Sequence, residues 1–184
     1  MSIAELLRAR ESVRSYQSRP VEADKLEQLI EAVRLAPSAS NSQPWTLILV
    51  TDSELKDKVA RATFSRTISF NAFSLQAPVM AVLVMEKPKL ITQIGGRIKS
   101  KEYPLIDIGI AASQLCLQAT ELGLGTCLIG WFDEGAIKEL LHIPAGSDVG
   151  LLATIGYPDE NRPARKKVRK SAEAMSSYNG YPHT

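Results

Sequence analysis

Cysteine and histidine are scarce in this 184-residue chain, at two each, and aromatic residues make up 6% of it. Cys116 and Cys127 lie in apolar segments with no CxxC pair, which argues against a disulfide framework and for buried thiols. His142 and His183 have no Cys, Asp or Glu cluster at ligand spacing beside them, so no metal centre is expected. No apolar run is long enough to cross a bilayer. The opening Met1-Ser2-Ile3-Ala4-Glu5 also lacks a basic stretch followed by an apolar one, so the expectation is a cytoplasmic protein with no membrane partner. An excess of one charge is missing too: 22 Lys and Arg face 20 Asp and Glu. The net +2 is uneven, however. Arg162, Arg165, Lys166, Lys167, Arg169 and Lys170 fall within 161–170 without an acid, which leaves the rest of the chain at about −4. A mildly acidic body with one short basic strip suits a compact anion such as a phosphate and argues against a nucleic-acid partner.

A hydrophobic content of 45% is enough for residues 1–184 to form a single domain with a real core. Ser2 and Glu5 have capping-box spacing, which predicts a helix over 3–9. After Pro20, Leu26, Leu29, Ile30 and Val33 recur at helical spacing up to Ala36, where Pro37 stops the helix. Trp45–Thr51 and Pro78–Met85 are short, continuous apolar runs and read as strands, with a helix capped near Asp52 or Ser53 between them. Residues 90–103, with Gly95-Gly96 and scattered charge, read as an irregular, mobile stretch bordering a substrate site. Pro104 opens the longest helix, mostly core, and Gly123 closes it. Strands at Thr126–Ile129 and Val149–Ile155 flank a helix from about Asp133 to Leu141, and the tail after Gly156 is too polar to pack alone. Two helices before the first strand, and uneven strand spacing, predict an α+β sandwich rather than a regular βαβ alternation. Both phosphate-loop motifs fail. Gly123-Leu124-Gly125 needs a glycine where Leu128 stands, and Gly125 to Gly130 is followed by Trp131 rather than lysine.

Three stretches carry chemistry. Arg10-Glu11-Ser12-Val13-Arg14 sets two guanidinium forks around a hydroxyl, suited to a phosphate or a polar ring edge but also to a solvated arginine pair. Ala36-Pro37-Ser38-Ala39-Ser40-Asn41-Ser42-Gln43-Pro44-Trp45 is a stiff, donor-rich loop at a sheet edge; Asx turn chemistry explains Ser40 and Asn41 but not the whole decapeptide. The basic strip by itself is a solvated face or a nucleic-acid or nuclear-import patch.

Taken in order, Arg10-x-Ser12-x-Arg14, Ala36-Pro37-Ser38 with Asn41-x-Gln43-Pro44-Trp45, Gly123-Leu124-Gly125-Thr126-Cys127, and Ile155-Gly156-Tyr157-Pro158 ahead of a basic tail resemble the signature of the FMN-binding nitroreductase family over nearly the full chain. The resemblance implies a mostly antiparallel sheet flanked by helices, in an intertwined homodimer whose C-terminal tail, about 157–184, is exchanged onto the partner subunit. It also implies that Arg10, Ser12 and Arg14 hold the phosphate, ribityl and pyrimidine groups of FMN, with Lys167 and Arg169 completing the phosphate site. Pro37, Ser38, Ser40, Asn41 and Gln43 would come from the partner subunit to line the ring, and Asn71 stands where some members contact the flavin. Leu128, Ile129 and Gly130 would pass across the flavin and offer a backbone N–H near its N5 atom, leaving no side chain as catalytic residue. Glu11 departs from the family's usual basic or polar residue; its side chain is expected to face solvent, with only its backbone near the flavin. The implied activity is hydride transfer from NADH or NADPH to FMN, and on to a nitroaromatic, quinone or similar small acceptor. The competing readings are a flavin store or sensor without turnover, and a specialised dehalogenase or heterocycle dehydrogenase.

Overall fold

The computed structural model describes residues 1–87, 90–99, 101–162 and 166–181, with only the backbone at 91, 94 and 97–99. Arg165, Pro88 and His183 lie outside the described residues. In chain order the elements are α1 (Ile3–Ala9), α2 (Ala23–Arg34), a 3-10 turn (Ala39–Asn41), β1 (Trp45–Val50), α3 (Ser53–Arg61), a second 3-10 turn (Ala72–Gln76), β2 (Val79–Met85), α4 (Leu90–Lys99), α5 (Tyr103–Glu121), β3 (Gly125–Ile129), α6 (Glu134–Leu140), β4 (Asp148–Gly156) and α7 (Ala172–Met175).

The strands form one sheet in the order β1-β2-β4-β3, and every neighbouring pair is antiparallel. Period-two alternation explains the unbroken apolar sequence of β2, because both of its faces are covered. Val79, Ala81 and Leu83 pack with α2 and α5 residues such as Leu29, Val33, Ile108 and Leu115. Met80, Val82 and Val84 face Val59 of α3 and Ile137 of α6. The result is the expected α+β sandwich, with the sheet between two helical layers.

Local chemistry sets the helix ends. Ser2 and Glu5 form the capping box of α1, Asp52 and Asp133 cap α3 and α6 through their side chains, and Gly123 follows α5 at φ 76°. The irregular stretch expected at 90–103 is corrected: Leu90–Lys99 is a helix. The Gly95-Gly96 pair, read as a break, sits inside it, and Gly96 has a packing role. A Cβ there would come within 2.7 Å of the Lys101 carbonyl, and the Gly96 carbonyl accepts from the Lys101 N–H at 2.9 Å.

The free edge of β3 is closed by the chain's own N-terminal segment. Ser12 bridges Thr126 in parallel, the Val13 N–H donates to the Thr126 carbonyl at 2.9 Å, and Tyr16 pairs with Pro158. Tyr16 locks this segment down: its hydroxyl donates to the Val13 carbonyl at 2.7 Å and lies 2.6 Å from the Thr154 hydroxyl inside the protein. Desolvation pushes the Tyr16 hydroxyl well above its ordinary 10.0, against the opposing hydrogen bond with Thr154. Above about pH 10 the unfolded chain therefore releases this proton while the folded protein keeps it, and stability falls as pH rises, by up to about 1.4 kcal/mol per unit. We expect Tyr16→Phe to cost about 1–3 kcal/mol in urea denaturation near neutral pH, because the Val13 carbonyl loses its donor, and to remove this part of the alkaline slope.

Candidate active site

The segment docked on β3 presents the first group of predicted residues. Val13 is buried, so by strand alternation Ser12 and Arg14 project from the opposite side. Docking requires Gly125, where a Cβ would stand 2.6 Å from Val13 Cγ2. Among the described residues no carboxylate forms an ion pair with Arg10 or Arg14. Arg14 lies over the Phe73 ring at 5.7 Å and donates to the Ser12 carbonyl at 3.4 Å. Glu11 is a correction. Rather than facing solvent, its carboxylate meets Arg162 at 2.5 Å with both side chains largely covered.

That ion pair is one of a series of contacts that return the chain's far end to its beginning. The Asp159 N–H donates to the Ser15 carbonyl at 3.0 Å, the Ser15 hydroxyl donates to the Asp159 carboxylate at 3.1 Å, and Gln17 donates to the Pro158 carbonyl at 2.9 Å. Beyond them, Lys167 Nζ donates to the carbonyls of Ala9 and Arg10, each at 3.1 Å, and to that of Arg8. Those carbonyls lie at the unsatisfied, partly negative end of α1, which favours an ammonium. Lys167 is thus held beside Arg10, while Arg169 is exposed and donates to its neighbour's carbonyl. A cleft of about 550 Å³ nearby is lined by Glu11, Asp159 and Glu160 as well as Arg162, a carboxylate-rich wall unsuited to a phosphate. Residues 157–162 therefore pack on their own chain, and from α7 to Tyr181 every residue is exposed.

The Pro37–Gln43 loop lies elsewhere. Ser40, Asn41 and Gln43 have φ values of 53°, 49° and 48°, a left-handed conformation that non-glycine residues adopt at a cost. Bonds inside the loop hold it: Ser38 Oγ accepts from the Gln43 N–H at 2.8 Å, and Gln43 Nε2 donates to Asn41 Oδ1 at 2.9 Å. Ser40, Asn41 and Gln43 are left facing outward. The loop touches α5 near its start, at Asp107. The Arg10–Arg14 run lies near the other end of that helix, where Ala9, Glu11, Val13 and Thr120 line one small cavity. At about 1.5 Å per residue the two ends are roughly 20 Å apart.

At the end of β3, Ile129 is buried while Leu128 and Gly130 are exposed, and nothing lies within 4 Å of a Cβ built on Gly130. Asn71 is 7% exposed and ties this corner together, its Nδ2 donating to the carbonyls of Thr63 at 3.1 Å and Trp131 at 3.3 Å. Phe70 and Trp131 flank it, exposed and tilted at 60° with ring centres 6.3 Å apart. Sequence reading passed over both, although aromatic residues next to Asn71 and Gly130 were the available signal. Cys116 and Cys127 are buried and form no disulfide, and burial pushes the Cys116 thiol up. No cluster of three possible metal ligands occurs among the described residues, and no helix among them is long and apolar enough to cross a membrane.

The nitroreductase family model matches residues 7–157, a span that includes the docked arginine run, the left-handed loop and the Gly130 corner. The chain belongs to the nitroreductase family. An FMN reductase [NAD(P)H] from Bacillus subtilis is 31% identical over 92% of this chain and 70% of its own length. A nitroreductase family protein from Clostridium novyi superposes with a TM-score of 0.77 at 33% identity, covering 87% of each chain. An FMN-dependent nitroreductase from Clostridium difficile gives 0.77 at 28% identity, over 97% of this chain and all of that one.

We expect Gly125→Ala to push the Val13 side of the arginine run off β3. Denaturation should show a loss of about 1–3 kcal/mol, with faster hydrogen exchange at the Val13 amide.

Proposed function

We infer that this chain is an NAD(P)H-dependent FMN oxidoreductase that reduces nitroaromatics, quinones or similar small organic acceptors. The observation that carries the reading is convergence: Lys167 from the tail reaches the carbonyls at the end of α1, next to Arg10, so cations from both ends of the sequence gather where no carboxylate among the described residues pairs with the arginines. The acid inside the arginine run, Glu11, is paired with Arg162. Such a cluster of positive charge fits a dianionic phosphate. The open strip over Gly130, in the same chain, fits a flat ring.

When bound, FMN supplies the redox chemistry, taking hydride from NADH or NADPH and passing electrons to the acceptor in a ping-pong cycle. The chain's own part is to bind and orient. Arg10, Ser12 and Arg14 hold the phosphate, ribityl and pyrimidine groups, and Lys167 and Arg169 close the phosphate site. At the end of β3 the backbone of Ile129 and Gly130, exposed at Gly130, would offer an N–H toward N5, and the bond from Asn71 to the Trp131 carbonyl holds this corner in place. Phe70 and Trp131 offer an exposed aromatic wall against which an aromatic acceptor can stack.

Pro37, Ser38, Ser40, Asn41 and Gln43 line the ring from the partner subunit. Support comes from the length of α5, which keeps this loop and the arginine run of one chain at opposite ends. Apolar surface supports a homodimer too: α1 buries none of its residues, and Ile3, Leu7, Ile30, Leu35, Leu105 and Ile106 are all exposed. The outer tail, with Met175, Tyr178 and Tyr181 uncovered, is assigned to the partner's surface. Residues 1–184 act as one FMN-binding domain in the cytoplasm.

Purified protein titrated with FMN, then assayed for NADH and NADPH oxidation with a quinone or a nitroarene, tests the function. We expect stoichiometric FMN binding and parallel-line initial-rate plots; a protein that binds FMN without turnover is a store or sensor, and one that binds none contradicts the reading. Lys167→Met should weaken FMN binding about three- to fivefold, from the up to about 1 kcal/mol of an exposed charge beside the phosphate, because its three N–H groups are given to the carbonyls of Arg8, Ala9 and Arg10, while riboflavin, which lacks the phosphate, binds unchanged.

A further inference from the structure

Asp107 is an unusual residue to find inside α5. It is 2% exposed, one carboxylate oxygen accepts from the Ala39 N–H at 3.0 Å, and the other is buried with no partner among the described residues. A buried carboxylate with half of its acceptor capacity unused opposes folding, since desolvating it costs more than a single hydrogen bond returns. Its presence therefore calls for a role other than stability. What it grips is the first residue of the 3-10 turn that precedes the outward-facing Ser40 and Asn41. Thr92, 4% exposed on α4, meets the same residue at its other polar group, its hydroxyl donating to the Ala39 carbonyl at 3.4 Å. Ala39 is thus held at both its N–H and its C=O by two helices, directly before the left-handed residues. Strained backbone persists only where its surroundings over-determine it, and a charge-assisted bond at the start of the turn provides such a constraint.

We propose that Asp107 is the positioning residue of the Pro37–Gln43 loop: through the Ala39 N–H, with Thr92 bracing the Ala39 carbonyl, it holds the left-handed turn in the one conformation that presents Ser38, Ser40 and Asn41 to the flavin. The proposal rests on the preceding assignment of this loop to the flavin ring. Asp107 touches no cofactor and acts only through the loop. It exchanges fold stability for the geometry of the site, a trade seen where strained functional loops are kept.

The test compares Asp107→Leu, Asp107→Asn and Thr92→Val with the wild-type dimer in three measurements: thermal midpoint, hydrogen exchange of the Asn41, Ser42 and Gln43 amides, and FMN dissociation constant. Leucine removes the acceptor and the buried charge together. It should leave the midpoint equal or higher, accelerate loop exchange and weaken FMN about tenfold, the equivalent of one hydrogen bond. Asparagine keeps an acceptor oxygen for Ala39, so exchange and affinity should stay within about twofold of wild type while the midpoint rises. Thr92→Val should act in the same direction as leucine, by about two- to threefold. Wild-type loop exchange and FMN affinity in Asp107→Leu overturn the proposal. So does a midpoint that falls in step with affinity, because Asp107 is then merely structural. If the wild type binds no FMN, the flavin reading has failed and this role falls with it, whereas loop exchange still reports separately on whether Asp107 clamps Ala39.

Discussion

The docking of residues 12–17 onto the free edge of β3 and the segment that follows β4 is the constraint on which the rest depends. It is a small interaction: a parallel bridge at Ser12 and Thr126, the Val13 N–H on the Thr126 carbonyl, and the Tyr16 hydroxyl between Val13 and Thr154. It fixes the arginine run along the strand that ends at Ile129, just before Gly130, and it creates the second edge on which residues 157–159 settle. Two glycines make it possible. A Cβ on Gly125 would strike Val13, and one on Gly156 would reach within 2.4 Å of Pro78 and 3.0 Å of Tyr16.

From that edge a division of labour follows. Cations are supplied by segments at opposite ends of the sequence, while the loop that faces outward at Ser40 and Asn41 is fixed at the other end of α5. Rigid connection by α5 sets their separation, which is what supports the proposal of a site shared between two copies of the chain. The exposed apolar residues of α1 and α5 are available to bring those copies together. The energetics differ across the molecule. In the sandwich the buried side chains are largely apolar, with the Thr126 hydroxyl unpartnered on β3; at the loop, three left-handed residues and a half-satisfied Asp107 oppose stability.

Periodicity made most of this fold legible. The two-faced burial of β2 produces a continuous apolar run, and capping residues at Ser2, Asp52 and Asp133 mark helix starts that the structure contains. Leu90–Lys99 does not read as a helix because glycines normally break helices, and the close approach of the Lys101 carbonyl that favours Gly96 is a backbone contact that composition does not reveal. Glu11 was read as solvated because its partner, Arg162, lies at the far end of the sequence. Within the site, the types of residue were readable and their conformations were not. Ser40 and Asn41 signalled a turn, but the left-handed geometry depends on Asp107, which sits in a helix that reads simply as core. The aromatic pair at Phe70 and Trp131 went unnoticed because exposure does not follow from composition.

Subunit complementation tests the central claim most directly. One preparation would carry Arg14→Met with Lys167→Met, and the other Ser38→Ala with Asn41→Ala; each should have little NADH-quinone turnover alone. Unfolding, mixing and refolding them in equal amounts gives mixed dimers in which one of the two sites draws its arginine run and its loop from undamaged chains. Random pairing then predicts recovery of roughly a quarter of wild-type activity. A mixture no more active than its components would mean that loop and arginines serve one flavin within a single chain, contradicting the account.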